Sequence, residues 1–129
     1  MERLILKYKD AQNSLETLKS ILAEHFSIII RDATVLRFEY TFEAFWKFIQ
    51  EYLKEKEGII SNSPKGCFRE IFSLGFTGED ETVQLLEMTD KRNDTSHTYK
   101  EKVAQGIFEK INSYAVLMAK ILEQFRDRV

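Results

Sequence analysis

The chain has few of the residues that staple or interrupt a fold: its 129 residues include one cysteine, one proline and five glycines. With Cys67 alone no internal disulfide can form, which fits a reducing compartment. No histidine lies near it in sequence, so it reads as a small buried hydrophobe on a short helix rather than a nucleophile. Scarce proline and glycine leave few chain breakers and favour long helices. No apolar run reaches the length needed to cross a bilayer. The start, Met1-Glu2-Arg3-Leu4, opens on a charged amphipathic pattern with no apolar segment of signal-peptide type. A cytoplasmic protein without membrane contact is the expectation. An excess of one charge is also missing: 19 Lys and Arg against 21 Asp and Glu give a formal net charge of -2. That balance excludes broad adhesion to nucleic acid through a basic stripe, so any RNA contact has to be local.

What is present points to an all-α fold. Hydrophobic residues make up 43% of the chain and charged ones 31%, the balance of a soluble globular protein. The length suits one domain, residues 1–129, with a single sizeable core. Leu4, Tyr8, Ala11, Leu15, Leu18 and Leu22 recur at spacings of three and four and predict a first amphipathic helix. His25 closes it as a partner for the helix dipole. Phe26-Ser27-Ile28-Ile29-Ile30 has strand-like propensity but no second strand to pair with, so it reads as a tight connection.

The next series, Val35, Phe38, Phe42, Phe45, Ile49 and Tyr52, is widened by Tyr40, Trp46 and Leu53. That is more apolar surface than a one-sided helix needs, so this helix is either central in the bundle or partly covered by another subunit. Its spacing is helical and no Lys or Arg alternates with the rings, which favours core packing over base stacking. Gly58 stops it. Ser63-Pro64 starts a short helix carrying Cys67, Phe68, Ile71 and Phe72, with Gly75 after it. Thr77 with Asp80 is a weaker start signal for a helix through Val83 and Leu86 towards Arg92. Val103, Ile107, Ile111, Tyr114, Met118, Ile121 and Phe125 give the clearest amphipathic pattern. Gly106 within it suggests a close approach by another helix. About five helices on short connections make a mostly antiparallel, four-helix-bundle-like fold.

Between the last two helical patterns lies the one stretch where a cation, an imidazole and a phenol fall close together: Arg92-Asn93-Asp94-Thr95-Ser96-His97-Thr98-Tyr99. In an unbroken helix Arg92 and His97 would stand roughly 140° apart around the axis and could not face each other. Asn93, Asp94, Thr95 and Ser96 favour turns and caps over helix interiors. Thr98 with Glu101 makes a capping box that would start a new helix just past His97, with free N–H groups and a positive dipole end where phosphate binds. A short turn could then bring Arg92 and His97 together. Guanidinium offers a planar fork of donors to phosphate oxygens, and imidazole takes and gives protons near neutral pH. Such a pair can set an RNA 2′-hydroxyl against its neighbouring phosphodiester with neither metal nor cofactor, and DNA, lacking that hydroxyl, would be spared. The bland alternative is a polar turn holding an Arg and a His by coincidence. Lys91, Lys100 and Lys102 cluster here, and Lys65 and Arg69 could add to them; an ordinary solvated mixed-charge surface is the alternative. Two-fold pairing would double the local positive potential, which points to a homodimer.

The stretch RNDTSHTY resembles the Arg-x-x-x-x-His-x-Tyr signature of the HEPN superfamily, carried here by Arg92, His97 and Tyr99. The branch it resembles is the small nucleotidyltransferase substrate-binding protein family, toxins of HEPN and minimal-nucleotidyltransferase pairs. Arg37 to Lys47, RFEYTFEAFWK, is similar to that family's RFE-x-T-x-E-x-x-W-K block, and Asn62-Ser63-Pro64 opens the middle segment in the same way. Together these blocks cover most of the chain in the right order. Two departures stand out: Thr82-Val83-Gln84-Leu85 where the family commonly carries a Trp, and Leu36 before Arg37 where a polar residue is frequent. The resemblance implies a homodimer whose subunits line a shared cleft, Arg92 holding the scissile phosphate and His97 transferring protons. Asn93 and Asp94 would be polar support, Asn93 the better phosphate contact. It also implies a minimal nucleotidyltransferase antitoxin that attaches AMP to Tyr99, a bulky anion that would obstruct the cleft.

Four functional readings follow. One is a metal-independent endoribonuclease toxin acting on RNA and silenced at Tyr99. Another is a non-catalytic subunit that presents a nucleotide or other substrate to the transferase, with Arg92 and His97 as anion ligands. The chain itself is not the transferase, since it has no Gly-Ser loop followed by an Asp-x-Asp pair. A metal site is the third, from Glu87, Asp90 and Asp94 ahead of His97, but these match no recognised coordination motif and read as a solvated face. A bundle with only an assembly role is the fourth.

Overall fold

The computed structural model describes residues 2–129, which form helices and their connections only. In order these are α1 (Glu2–Leu22), α2 (Ile28–Tyr52), α3 (Pro64–Ser73), α4 (Glu79–Asn93) and α5 (Glu101–Phe125). A wide π turn, Leu53–Glu57, extends α2, and 3₁₀ turns cover Asp94–His97 and Arg126–Arg128. The five-helix all-α expectation is borne out. Among the described residues no helix is long and apolar enough to cross a membrane.

Side-chain bonds reveal the helix directions. Arg3 pairs with Glu51 at 2.8 Å, Thr41 donates to the Ser14 carbonyl at 3.1 Å and Arg37 to the Thr17 carbonyl at 2.7 Å, so α1 and α2 run antiparallel. Lys120 meets Glu81 and Tyr114 meets Glu87, so α4 and α5 are antiparallel too. By contrast α2 and α5 run parallel, since Arg31 meets Glu101, Phe38 stacks on Tyr114 and Phe48 meets Phe125. Two helices lie between them in sequence, and the chain uses those to return to the end where α2 began. That return lays the α4–α5 turn beside the N-terminal half of α2.

Helix α2 is central. Val35, Phe38, Phe42, Phe45, Trp46, Phe48, Ile49, Tyr52 and Leu53 are all buried, on more than one side of the helix. Its N-terminus is capped by Ser27, whose hydroxyl accepts from the Ile30 N–H at 3.0 Å. Its end is set by Gly58 in the left-handed region (φ 66°), as the sequence predicts. Aromatic contacts gather around Phe125, which meets Tyr52 at 4.7 Å and Phe48 at 5.5 Å edge-on and stacks on Phe76 at 4.4 Å, ring centre to ring centre. Each such pair adds about 0.5–1.5 kcal/mol beyond its buried area.

Several local expectations need correction. Tyr40 is exposed, bonded through its hydroxyl to Thr17 instead of joining the core. His25 lies beyond the end of α1 in the exposed connection, too far along to serve its last turn. Phe72 and Val83 are exposed as well; α4 buries Thr82, Leu85, Met88 and Thr89 instead. The two threonines can be buried because each hydroxyl donates to the carbonyl one turn back, Thr82 to Gly78 at 2.8 Å and Thr89 to Leu85 at 2.9 Å. Helix α4 starts on Gly78 rather than Thr77, with the Glu81 carboxylate accepting from the Gly78 N–H at 2.9 Å. A side chain at Gly106 would meet nothing within 4 Å among the described residues, so the expected close approach of another helix of this chain is not found there.

Candidate functional site

The signature stretch forms one turn between α4 and α5. Arg92 lies in the last turn of α4 and Asn93 is its final residue. Asp94 caps α4 through its own N–H and opens the 3₁₀ turn that His97 closes. Hydroxyls brace the turn: Thr95 donates to the Arg92 carbonyl at 2.7 Å and Ser96 to the Asn93 carbonyl at 3.3 Å. These are the local bonds that make such residues poor helix interiors, and here they end α4. The Lys100 N–H then donates to the His97 carbonyl at 3.0 Å, closing a further turn.

The predicted capping box at Thr98 does not form. Helix α5 starts two residues later, on Lys100, without a side-chain cap. Glu101 has a stronger partner than its own backbone: its carboxylate accepts from both terminal nitrogens of Arg31, Nη1 and Nη2, the latter at 3.1 Å. Arg31 is only 3% exposed and also donates to Asp32 at 3.1 Å and Gln105 at 3.5 Å. Its hydrogen bonds hold the Glu101 carboxyl below the usual carboxylate range.

The other end of the turn is tied to α2 as well. Arg92 Nη2 donates to Glu43 Oε2 at 3.2 Å, while Arg92 Nε is buried and makes no hydrogen bond. The turn is therefore strung between two ion pairs, Arg92 with Glu43 and Glu101 with Arg31, both anchored on the central helix. Asn93, Asp94, His97 and Tyr99 lie exposed between them, Tyr99 at 77%. The His97 ring stands edge-on to Tyr99 at 6.0 Å, and Lys100 Nζ lies 5.9 Å from the Tyr99 ring centre. His97 and Tyr99 are thus brought side by side. No hydrogen bond joins Arg92 to His97, although one turn carries both.

Sequence reasoning assigned no role to Arg31 or Glu43. Glu43 lies inside the RFEYTFEAFWK block, which was the available signal; Arg31 carried none, because its partner is 70 positions away. That block is mostly internal wiring: Arg37 and Thr41 fasten α2 to α1, and Glu43 fastens it to Arg92. Lys65 pairs with Asp90 at 2.7 Å, and Glu87 is taken by Tyr114 and Lys110. With those carboxylates separately engaged, no three His, Cys, Asp or Glu side chains converge as metal ligands among the described residues. Burial pushes the Cys67 thiol up, away from thiolate chemistry.

A family model described as nucleotidyltransferase substrate binding protein like matches residues 5–127. A curated Haemophilus influenzae protein, named probable ribonuclease HepT, is 26% identical over 98 residues, 73% of this chain; the match spans 66% of that protein's own length. Among solved structures, one from Thermus thermophilus is 45% identical with a TM-score of 0.86, covering 90% of this chain and 98% of that one. A chain from a mutant of the toxin–antitoxin pair MntA–HpeT shares the fold at a TM-score of 0.78 and 12% identity, covering 95% of this chain and 96% of its own.

Proposed function

This chain belongs to the nucleotidyltransferase substrate-binding protein family, and from that premise we propose that it is a HEPN toxin: a metal-independent endoribonuclease silenced when a partner nucleotidyltransferase attaches AMP to Tyr99. The observation that carries the reading is the single exposed turn holding Arg92, His97 and Tyr99, fixed at both ends to α2. The probable ribonuclease and the toxin–antitoxin pair among its relatives support it.

In this reading the RNA 2′-oxygen attacks the adjacent phosphorus and the bond to the 5′-oxygen breaks, leaving a 2′,3′-cyclic phosphate and a 5′-hydroxyl. His97 moves the proton, from the attacking hydroxyl or to the leaving oxygen. Arg92 holds the phosphoryl oxygens as negative charge grows on them, with Asn93 and Asp94 as polar support. The substrate is a single-stranded RNA segment whose phosphate can reach an exposed turn. In this reading a second copy of the chain completes the cleft and the working form is a homodimer, which is compatible with Arg92 being tied to Glu43 and making no bond to His97. Silencing follows from placement. Tyr99 is open to a transferase and adjacent to His97, so a phosphodiester on its hydroxyl would occupy the approach to the imidazole.

The test is cleavage of a defined RNA by the purified protein with a chelator present. The parent should cut RNA and spare the matching DNA, and His97→Ala should lose about 10²–10⁴-fold in rate. A His97→Ala protein cutting as fast as its parent would remove the proposal. The family's description favours a second reading, a non-catalytic subunit that presents a nucleotide to the transferase. Stable complex formation without any cleavage would select it.

A further inference from the structure

Next to Tyr99 lies a groove of about 470 Å³, lined by Asp32, Val35, Leu36 and Glu39 of α2 and by Thr98 and Tyr99 of the turn. Its walls are mixed, and their apolar part is open: Leu36 is 60% exposed and Tyr99 77%, with buried Val35 beneath. Its polar groups are mostly acceptors with capacity to spare. Glu39 makes no ion pair or hydrogen bond among the described residues, and neither does the Thr98 hydroxyl. Asp32 commits one oxygen to Arg31. No Lys or Arg lines the groove. The cation and the imidazole stand by the Tyr99 ring itself, Lys100 Nζ at 5.9 Å and His97 at 6.0 Å.

A groove of this kind repels phosphate and suits a flat, uncharged ring system with N–H and O–H donors at its edge. We propose that it is a nucleoside subsite, taking the base and sugar of the nucleotide transferred to Tyr99. The inference rests on the silencing reaction above. There the phenolic oxygen attacks the α-phosphorus of a nucleoside triphosphate, the new O–P bond replaces the bond to the β-phosphate, pyrophosphate leaves, and the phenolic proton passes to solvent. The product is a nucleoside monophosphate tethered at the mouth of the groove. A short tether holds its base at an effective concentration in the millimolar range, so weak intrinsic affinity is enough to fill the groove.

The lining also selects among bases. A carboxylate can accept from the exocyclic amine of adenine or from ribose hydroxyls. Uracil offers one ring N–H between two carbonyl oxygens, which a carboxylate repels, and a smaller face to lay on Leu36. The structure therefore assigns the groove to an amino-bearing purine over uracil. Docked there, the nucleoside lies back against α2 and leaves its phosphate beside Lys100 and His97.

Free nucleotides test this without any partner protein. In the methyl-labelled, unmodified protein, 5′-AMP at millimolar concentration should shift the Val35, Leu36 and Thr98 signals, at several-fold lower concentration than 5′-UMP. Leu36→Glu should abolish those shifts, and Glu39→Gln should narrow the gap between the two nucleotides. With backbone amides labelled alongside the methyl groups, amide shifts confined to Arg92, Asn93 and Lys100, or equal groove shifts from both nucleotides, would overturn the inference. The titration requires neither cleavage nor transfer. AMP docking in a protein that never cuts RNA would leave the subsite standing and remove the toxin reading. Cleavage and Tyr99 modification without groove shifts would do the reverse.

Discussion

Arg92 owes its position to a residue on another helix. A half-exposed arginine has many rotamers, and the Glu43 carboxylate at 3.2 Å selects among them. Because both partners are partly solvated, the ion pair adds at most about 1 kcal/mol to folding. Glu43→Ala should accordingly leave the urea midpoint nearly unchanged while lowering RNA cleavage about tenfold, since misplaced catalytic groups cost far more rate than stability. Unchanged cleavage would show that Arg92 is held by something else. The second anchor has a pH signature. Glu101 is held below the ordinary carboxylate pKa of about 4.3 by Arg31. A folded-state pKa below the unfolded one gives stability that is fully present above the ordinary value and is lost as pH falls through the lowered one. Urea midpoints followed downwards from pH 6 should therefore fall less steeply in Glu101→Gln than in the parent, the two curves approaching each other at the acid end. Curves that stay parallel would show that the pair does not contribute to acid sensitivity.

At the scale of the element, the short helix α3 offers a clear dependence on one glycine. The Ser63 hydroxyl caps it by accepting from the Gly66 N–H at 3.0 Å, and a Cβ on Gly66 would come within 2.8 Å of both the Ser63 and Ser61 hydroxyl oxygens. Ser63 cannot rotate away without losing the cap, so Gly66→Ala should cost about 1 kcal/mol, the value of a lost N-cap. A double mutant with Ser63→Ala should then cost less than the sum of the two singles, readable from denaturant midpoints. The Ser63-Pro64 start was legible in the sequence because both halves of the signal are local. The apolar series of α1, α2 and α5 were legible because spacing alone encodes which side faces the core. For α4 the helix was legible but its buried face was not, because Thr82 and Thr89 take buried positions by bonding their own backbone and Val83 is left in solvent. The same limit explains the start of α5. Thr98 and Glu101 satisfy a local pattern, but Arg31 binds Glu101 from another helix, and no local pattern reveals that competitor. That Arg92, His97 and Tyr99 share one turn was legible in the sequence; Glu43 and Arg31, which fix that turn, are seen only in three dimensions.

At the scale of the whole molecule, the parallel run of α2 and α5 matters most. It brings the turn to the flank of the central helix, where two ion pairs can reach it, and it leaves the turn's exposed side free for another polypeptide. The turn carries an arginine engaged by Glu43 and a histidine not bonded to it, and under the proposed homodimer the chemistry depends on how two turns meet. A shared groove and two independent sites make opposite predictions. Arg92→Ala and His97→Ala should each be inactive alone as homodimers. If the turns form one groove, a mixed dimer still contains one intact arginine and one intact histidine, and co-refolding the two variants should restore measurable RNA cleavage in proportion to the mixed species seen by native mass spectrometry. If each site draws both groups from a single chain, mixed dimers will form and remain inactive. Mixed dimers that stay inactive would leave each turn to act alone, and the two-fold cleft would then have to be abandoned even if the parent protein cuts RNA.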